Sequence, residues 1–148
     1  PFFYGQGEEG VLSWTHPTTE GGTCMIDFEN ADFLKLKEVD NDTYAQRLTP
    51  MFAPGEEMVA SFRTVRDGVV FTNRRVITIN MQGLTGKRTD YTSLPYKRIQ
   101  AFSVETSGVF DLDSELELWF SSLGRVRFEF TAGADVARIC SVISQYAL

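Results

Sequence analysis

Between residues 57 and 130 apolar side chains recur at every second position, the period of a half-buried β-strand. The segments "EMVASFRTV", "VVFT", "VITINM", "KRTDYTSL", "QAFSVET" and "SELELWF" each carry it, and a seventh strand follows Gly124. Turn residues separate them. Asp67-Gly68 supplies the central pair of a tight type I′ hairpin, Asn73-Arg74-Arg75 a short polar turn, and Pro95 a strand stop. In the last hairpin, a Ser122-Leu123-Gly124 loop with Gly124 left-handed sets Leu118 opposite Phe128 and Phe120 opposite Val126. That register gathers Leu116, Leu118, Phe120, Val126, Phe128 and Phe130 on one face.

Elsewhere the period lengthens to that of a helix. In "NADFLKLKEV", Phe33, Leu36 and Val39 fall at helical spacing. "DNDTYAQRLTPMFAPG" offers an N-cap at Asp42 and apolar Tyr44, Leu48 and Met51/Phe52, with Pro50 limiting the helix and Pro54-Gly55 ending it. A final stripe of Val136, Ile139, Cys140, Ile143 and Tyr146/Ala147 begins just after Gly133. The expected fold is mainly β with helices. Seven strands form a bent antiparallel sheet or barrel, a C-terminal helix caps its open end, and short N-terminal helices precede it. Residues 1–24 read as an extended or poorly ordered lead whose native status is open, 25–56 as a helical segment, and 57–148 as the β domain.

Charge divides the chain. Residues 1–24 hold three acids and no base, 25–57 eight acids against three bases, and 58–148 nine acids against eleven bases. A net charge of −6 argues against a general nucleic-acid binder, whose affinity rests on neutralising phosphates. No run of about 18 apolar residues is present, and "PFFYGQGEEG" lacks the layout of a secretory signal. With only Cys24 and Cys140, far apart, the expectation is a reduced, cytoplasmic protein. Those two thiols and His16 are too few and too scattered for zinc, and one histidine leaves no catalytic pairing, so no catalytic residue, metal or cofactor is expected.

"QGLTGKRT" (82–89) has the flavour of a phosphate loop but not its grammar. Met81 stands where the first glycine belongs, and β-rich "RTDYTSL" follows Lys87 in place of a helix. The segment is a strand-to-strand loop.

Several short motifs together resemble the bacterial pleckstrin-homology (PH) domain family. They are Phe71-Thr72-Asn73-Arg74-Arg75, Gln82-Gly83-Leu84-Thr85-Gly86-Lys87, Leu94-Pro95-Tyr96, Ser103-Val104-Glu105-Thr106 and Phe110-Asp111-Leu112-Asp113. The likeness runs from about residue 40 to the C-terminus. It implies the fold just described, a cytoplasmic bacterial setting, a tendency to form ring-shaped homo-oligomers, and no established chemistry.

In such a fold three loops emerge opposite the helix and carry Arg66, Lys87, Arg88 and Arg125, a candidate rim for an anionic ligand such as a lipid headgroup, a phospho-group or an acidic peptide. Solvated loop bases are the plainer explanation. In "FDLDSELEL", Asp111, Asp113, Glu115 and Glu117 alternate on one strand face. Calcium is disfavoured because Leu116 occupies the loop position that needs glycine. A solvated face, or an interface with Arg74-Arg75 or Lys97-Arg98 of a neighbouring copy, remains. Trp119, opposite Arg127 in the expected register, is a further interface candidate.

Overall fold

The computed structural model describes residues 30–82, 88–106, 113–121 and 123–148. Within them lie strands β1 (Asn30–Val39), β2 (Met58–Arg63), β3 (Gly68–Thr72), β4 (Arg75–Gln82), β5 (Arg88–Pro95), β6 (Ile99–Thr106), β7 (Ser114–Phe120) and β8 (Gly124–Phe130). Helix α1 (Asp42–Leu48) continues into a 3-10 turn at Thr49–Met51, and helix α2 (Val136–Ala147) closes the chain. The strands form one curled sheet in the order β5-β4-β3-β2-β1-β8-β7-β6.

The eighth strand corrects the sequence reading. Asn30–Val39 is a strand, not a helix. It runs parallel to β8, with Ala31 opposite Val126 and Phe33 opposite Phe128, then antiparallel to β2, with Val39 opposite Ser61. Between Phe33 and Leu36 the register slips, and Lys35 takes φ +55°. This bulge moves the buried positions from 31 and 33 to 36, breaking the two-residue period and imitating helical spacing. The sheet is therefore not wholly antiparallel, and β1 joins its two halves.

The helix beginning at Asp42 forms as expected, with Tyr44 and Leu48 buried and Pro50 inside the 3-10 turn. It covers Val70, Ile77 and Ile79 on the outer face of β3 and β4. Gly68 lies directly beneath it, where a β-carbon would come within 2.7 Å of the Tyr44 ring and hydroxyl. That glycine therefore belongs to the strand. The expected two-residue hairpin is replaced by a turn over Thr64–Asp67, since Arg63 pairs with Gly68. The Thr64 N–H donates to the Asp67 carbonyl at 2.8 Å, and the Asp67 N–H to the Thr64 hydroxyl at 3.0 Å.

In the last hairpin Gly124 is left-handed at φ +82°, but the pairing differs by two residues from expectation: Leu118 meets Val126 and Leu116 meets Phe128. A shift of two preserves the face. All six expected residues are buried, and Trp119 stands opposite Arg125 instead of Arg127.

Inside the curl, Phe33 stacks on Phe128 at 5.4 Å, and Phe62 meets Phe130 edge-on at 4.8 Å. Helix α2, capped by the Asp135 carboxylate on the Arg138 N–H, packs Val136, Ile139 and Ile143 into the same core. Burial raises the pKa of the neighbouring Cys140 thiol, which packs against this core as a small apolar side chain.

Candidate functional site

The turn between β3 and β4 organises its surroundings through one hydroxyl. Thr72 Oγ1 accepts the N–H groups of Arg74 and Arg75, both at 3.0 Å, and donates to Glu56 Oε2 at 2.7 Å. The Arg75 guanidinium grips the same carboxylate through Nε and Nη2, each at 2.9 Å. It also reaches the Met51 carbonyl at 2.8 Å and Ser93 Oγ at 2.9 Å. Only 1% of the Glu56 side chain is exposed. Burial pushes its pKa up, but hydrogen bonds from Arg75, Thr72 and the Ala53 N–H, with the Arg75 charge, outweigh that and hold it below the usual value.

From the other side Tyr96, fully buried, donates its hydroxyl to the Thr72 carbonyl at 2.6 Å. Burial, reinforced by the Glu56 charge, raises its pKa and keeps it a neutral donor. Asn73 ties the turn to residues 55–57, its amide donating to the Gly55 carbonyl and its side-chain oxygen accepting the Glu57 N–H. The loop after α1, the β3–β4 turn and the end of β5 are thus locked together.

On this latch sits a groove of about 360 Å³. Phe52, Ala53, Pro95 and Tyr146 supply apolar wall, and Met51 stands at its border 44% exposed. Arg74 lies over the Tyr146 ring at 5.4 Å, and Lys97 faces it. Because Glu56 is already paired with Arg75, Arg74 and Lys97 leave the groove positively charged. Neither forms an ion pair among the described residues. A cationic, partly apolar trough suits an acidic partner that also carries apolar surface.

A second cleft, of about 240 Å³, opens between α1 and the β2–β3 turn. Arg47, Arg63 and Arg66 line it, with Asp67 the one acid among the described lining residues and Tyr44 beside Gly68. Burial raises the Tyr44 pKa, against the pull of the Arg63 and Arg47 charges.

Of the expected rim, Arg66 and Arg88 lie at the same end of the sheet: the β2–β3 turn lies level with Ile79, and Arg88 pairs with Gln82. Lys87 lies outside the described residues. Arg125 stands on β8, holding Asp32 at 3.4 Å and Glu117 at 3.2 Å. Arg127 holds the same Asp32 at 3.2 Å and Glu115 at 3.5 Å. Glu115 and Glu117 are therefore engaged on their own sheet face, whereas Asp113 is exposed at the start of β7 and Asp111 lies outside the described residues. Also outside them are the lead of residues 1–24, with His16 and Cys24, and positions 83–87 of the glycine loop. Arg74 and Arg75, adjacent in sequence, separate into groove wall and internal latch. Glu56 and Tyr96, which complete the latch, carried no signal as site residues beyond Tyr96 falling in a family motif.

Edge strand β6 is exposed on both faces, with only Ile99 and Phe102 half-buried, and Val104 is 38% exposed. Among the described strands, β5 and β6 are each paired on one side only. No described helix is long and apolar enough to cross a membrane, and among the described residues no three His, Cys, Asp or Glu side chains cluster as metal ligands.

Comparison with known proteins bears on these surfaces. The chain is 51% identical over 76 residues to YjqA of Bacillus subtilis, an alignment covering 51% of this chain and 61% of that protein. It is 28% identical over 108 residues to YozO of the same organism, covering 73% of this chain and 93% of YozO. Both relatives are uncharacterized. A PH-domain protein from Shewanella loihica PV-4 is 42% identical, with a TM-score of 0.66 over 78% of this chain and all of that one. A PH domain from Shewanella amazonensis SB2B is 44% identical, with a TM-score of 0.55 over 76% of this chain and 91% of that one. The bacterial PH domain profile matches residues 27–147, so it takes in β1 as well as the segment whose motifs carry the likeness, and the chain belongs to the bacterial PH domain family.

Proposed function

We propose that this domain works by binding, without catalysis or cofactor, and that its chief partner in the cytoplasm is another copy of itself. PH domains are in general binding modules, which sets the frame. The observation that carries the reading is β6, eight residues long, paired on one side among the described strands and exposed on both faces. Such an edge offers a row of backbone donors and acceptors to another chain. β6 contains no proline or lysine, the residues that usually blunt an edge. Pairing it with a different surface of the next copy gives a head-to-tail contact, which forms a ring where the rotation closes.

Solution mass by size-exclusion chromatography with light scattering tests this. Wild type is expected at a multiple of 16.7 kDa. A Ser103→Lys/Val104→Lys variant puts a charge on each face of the edge at exposed positions, and it is expected at 16.7 kDa with an unchanged circular dichroism spectrum. A wild type that is monomeric at every concentration sinks the reading.

The Arg47/Arg63/Arg66 cleft favours a second reading, recognition of an anionic ligand at the loop end of the sheet. Titration with inorganic phosphate, followed by amide chemical shifts, is expected to move Thr64–Gly68. Arg47→Gln/Arg63→Gln is expected to weaken binding by at least about tenfold, the equivalent of one charge-assisted hydrogen bond. Equal binding by both proteins removes the cleft from consideration.

A further inference from the structure

We infer that the Arg74/Lys97 groove receives the acidic end of strand β6 from a second copy of the chain, centred on Glu105 and Asp113. This rests on the self-association reading and names the surfaces it uses.

The two surfaces are complementary in charge. Glu105 is the next-to-last residue of β6, and Asp113 directly precedes β7, whose Ser114 pairs with Thr106, so both carboxylates flank the same end of the β6–β7 pair. Both are exposed, and neither forms an ion pair among the described residues. Glu115, opposite Glu105, is taken by Arg127, so Glu105 and Asp113 have no counter-charge among the described residues. Val104, 38% exposed, pairs with buried Leu116 and so lies on the opposite face of the edge from Glu105. The groove offers the converse: two cations without acidic partners among the described residues, over Phe52 and Pro95 and beside exposed Met51.

Geometry then decides between a contact within one chain and a contact between chains. Lys97 lies in the short turn that leads into Ile99 at the start of β6, whereas Glu105 lies at the far end. From Ile99 to Glu105 an extended strand covers about 20 Å at ~3.3 Å per residue. β6 stays paired with β7 over that span, from Ile99–Phe120 to Thr106–Ser114, with one register shift between Ile99 and Ala101. The chain cannot fold this acidic end onto its own groove. Complementary patches at opposite ends of the strand join only between copies. Joined head to tail, each copy keeps one of each patch free for the next, and the contacts close as a ring or continue as a filament; joined reciprocally about a two-fold axis, the same patches close a dimer.

Charge exchange tests the contact. Arg74→Glu/Lys97→Glu gives an acidic groove beside an acidic strand end. Glu105→Arg/Asp113→Arg gives a basic strand end beside a basic groove. Each variant alone is expected to sediment as a monomer in analytical ultracentrifugation, and an equimolar mixture is expected to reassemble into species of even copy number in which the two variants alternate. Lys97→Glu alone, which spares the Arg74–Tyr146 contact, is expected to lower the assembled fraction at least tenfold. If both double variants assemble like wild type, this contact is wrong while self-association stands. If both are folded monomers that fail to reassemble on mixing, the pairing of these two surfaces is overturned. A monomeric wild type overturns self-association and this contact together, and leaves the groove to an acidic segment of another protein.

Discussion

An Arg75→Ala variant is expected to lose about 3–5 kcal/mol of stability in urea unfolding, the penalty for removing one partner of a buried ion pair. The loss comes from what is left behind. Glu56, whose side chain is 1% exposed, would keep the Thr72 hydroxyl and the Ala53 N–H but lose the charge that balances it. Replacing both partners by apolar residues, as in Glu56→Leu/Arg75→Met, is expected to cost far less than the single change. A loss below about 1 kcal/mol for Arg75→Ala would show that the pair is no more than a surface contact.

Acid acts on the same carboxylate. Its pKa is lower folded than unfolded, so ionised Glu56 stabilises the fold above the ordinary carboxylate range, and that contribution disappears as pH falls through the folded value. Wild type is accordingly expected to lose stability on acidification below about pH 4.5 more steeply than Glu56→Gln.

Phe71→Ala is expected to be at least as damaging, at about 3–5 kcal/mol. The ring is fully buried in β3 and lies within 5.8 Å of Phe62, 5.5 Å of Phe128 and 6.0 Å of Phe130, centroid to centroid. It bridges the two halves of the curled sheet, so its removal opens a cavity at their junction. A domain of this size holds roughly 5–15 kcal/mol in total, so the variant should approach unfolding. Leu148→Ala, at a position 95% exposed, is the control, expected within about 0.5 kcal/mol of wild type. Comparable urea midpoints for the two variants would show that Phe71 does not lie in a continuous core.

The strands from β2 to β8 were legible because turn residues or a proline bound short β-rich runs; burial alternates strictly in β7 and β8, whereas β3 is buried at all five positions. The C-terminal helix was equally plain, its apolar stripe uninterrupted from Val136. β1 escaped because one left-handed residue, Lys35, resets the phase between Phe33 and Leu36, and a pattern method sees only the reset spacing. The Asp67-Gly68 turn misled for a different reason. Gly68 is required by the Tyr44 ring pressed against it, a tertiary demand that nothing beside it in sequence announces.

The candidate site was half visible. The motif residues Thr72, Arg75 and Tyr96 signalled the family, and their visible work is to lock the fold; Arg74 and Arg75 both border the groove, but Arg75 is tied to Glu56. Glu56 carried no signal at all, since the first of two glutamates after Pro54-Gly55 looks like solvated loop until its partners are assembled in space. Ion pairs such as Asp32 with Arg125 and Arg127 join residues more than ninety positions apart, beyond the reach of any local pattern.

The dual pairing of β1 has a consequence in time as well as in space. The hairpins from β2 to β5 join neighbours in sequence and close after short loops. β1 pairs with β2 early in the chain, but its other edge must wait for β8, and the Leu36 carbonyl accepts from Thr131, 95 residues later. On a ribosome, the first of these strands to emerge is among the last to be completed. Half of its hydrogen-bonding edge stays open until nearly the whole domain has been synthesised, and such long-range closure is the slow step in sheet proteins. The seam that unites the fold is thereby its latest-formed part, and the interval before it closes is when a nascent copy is most open to pairing with the wrong chain.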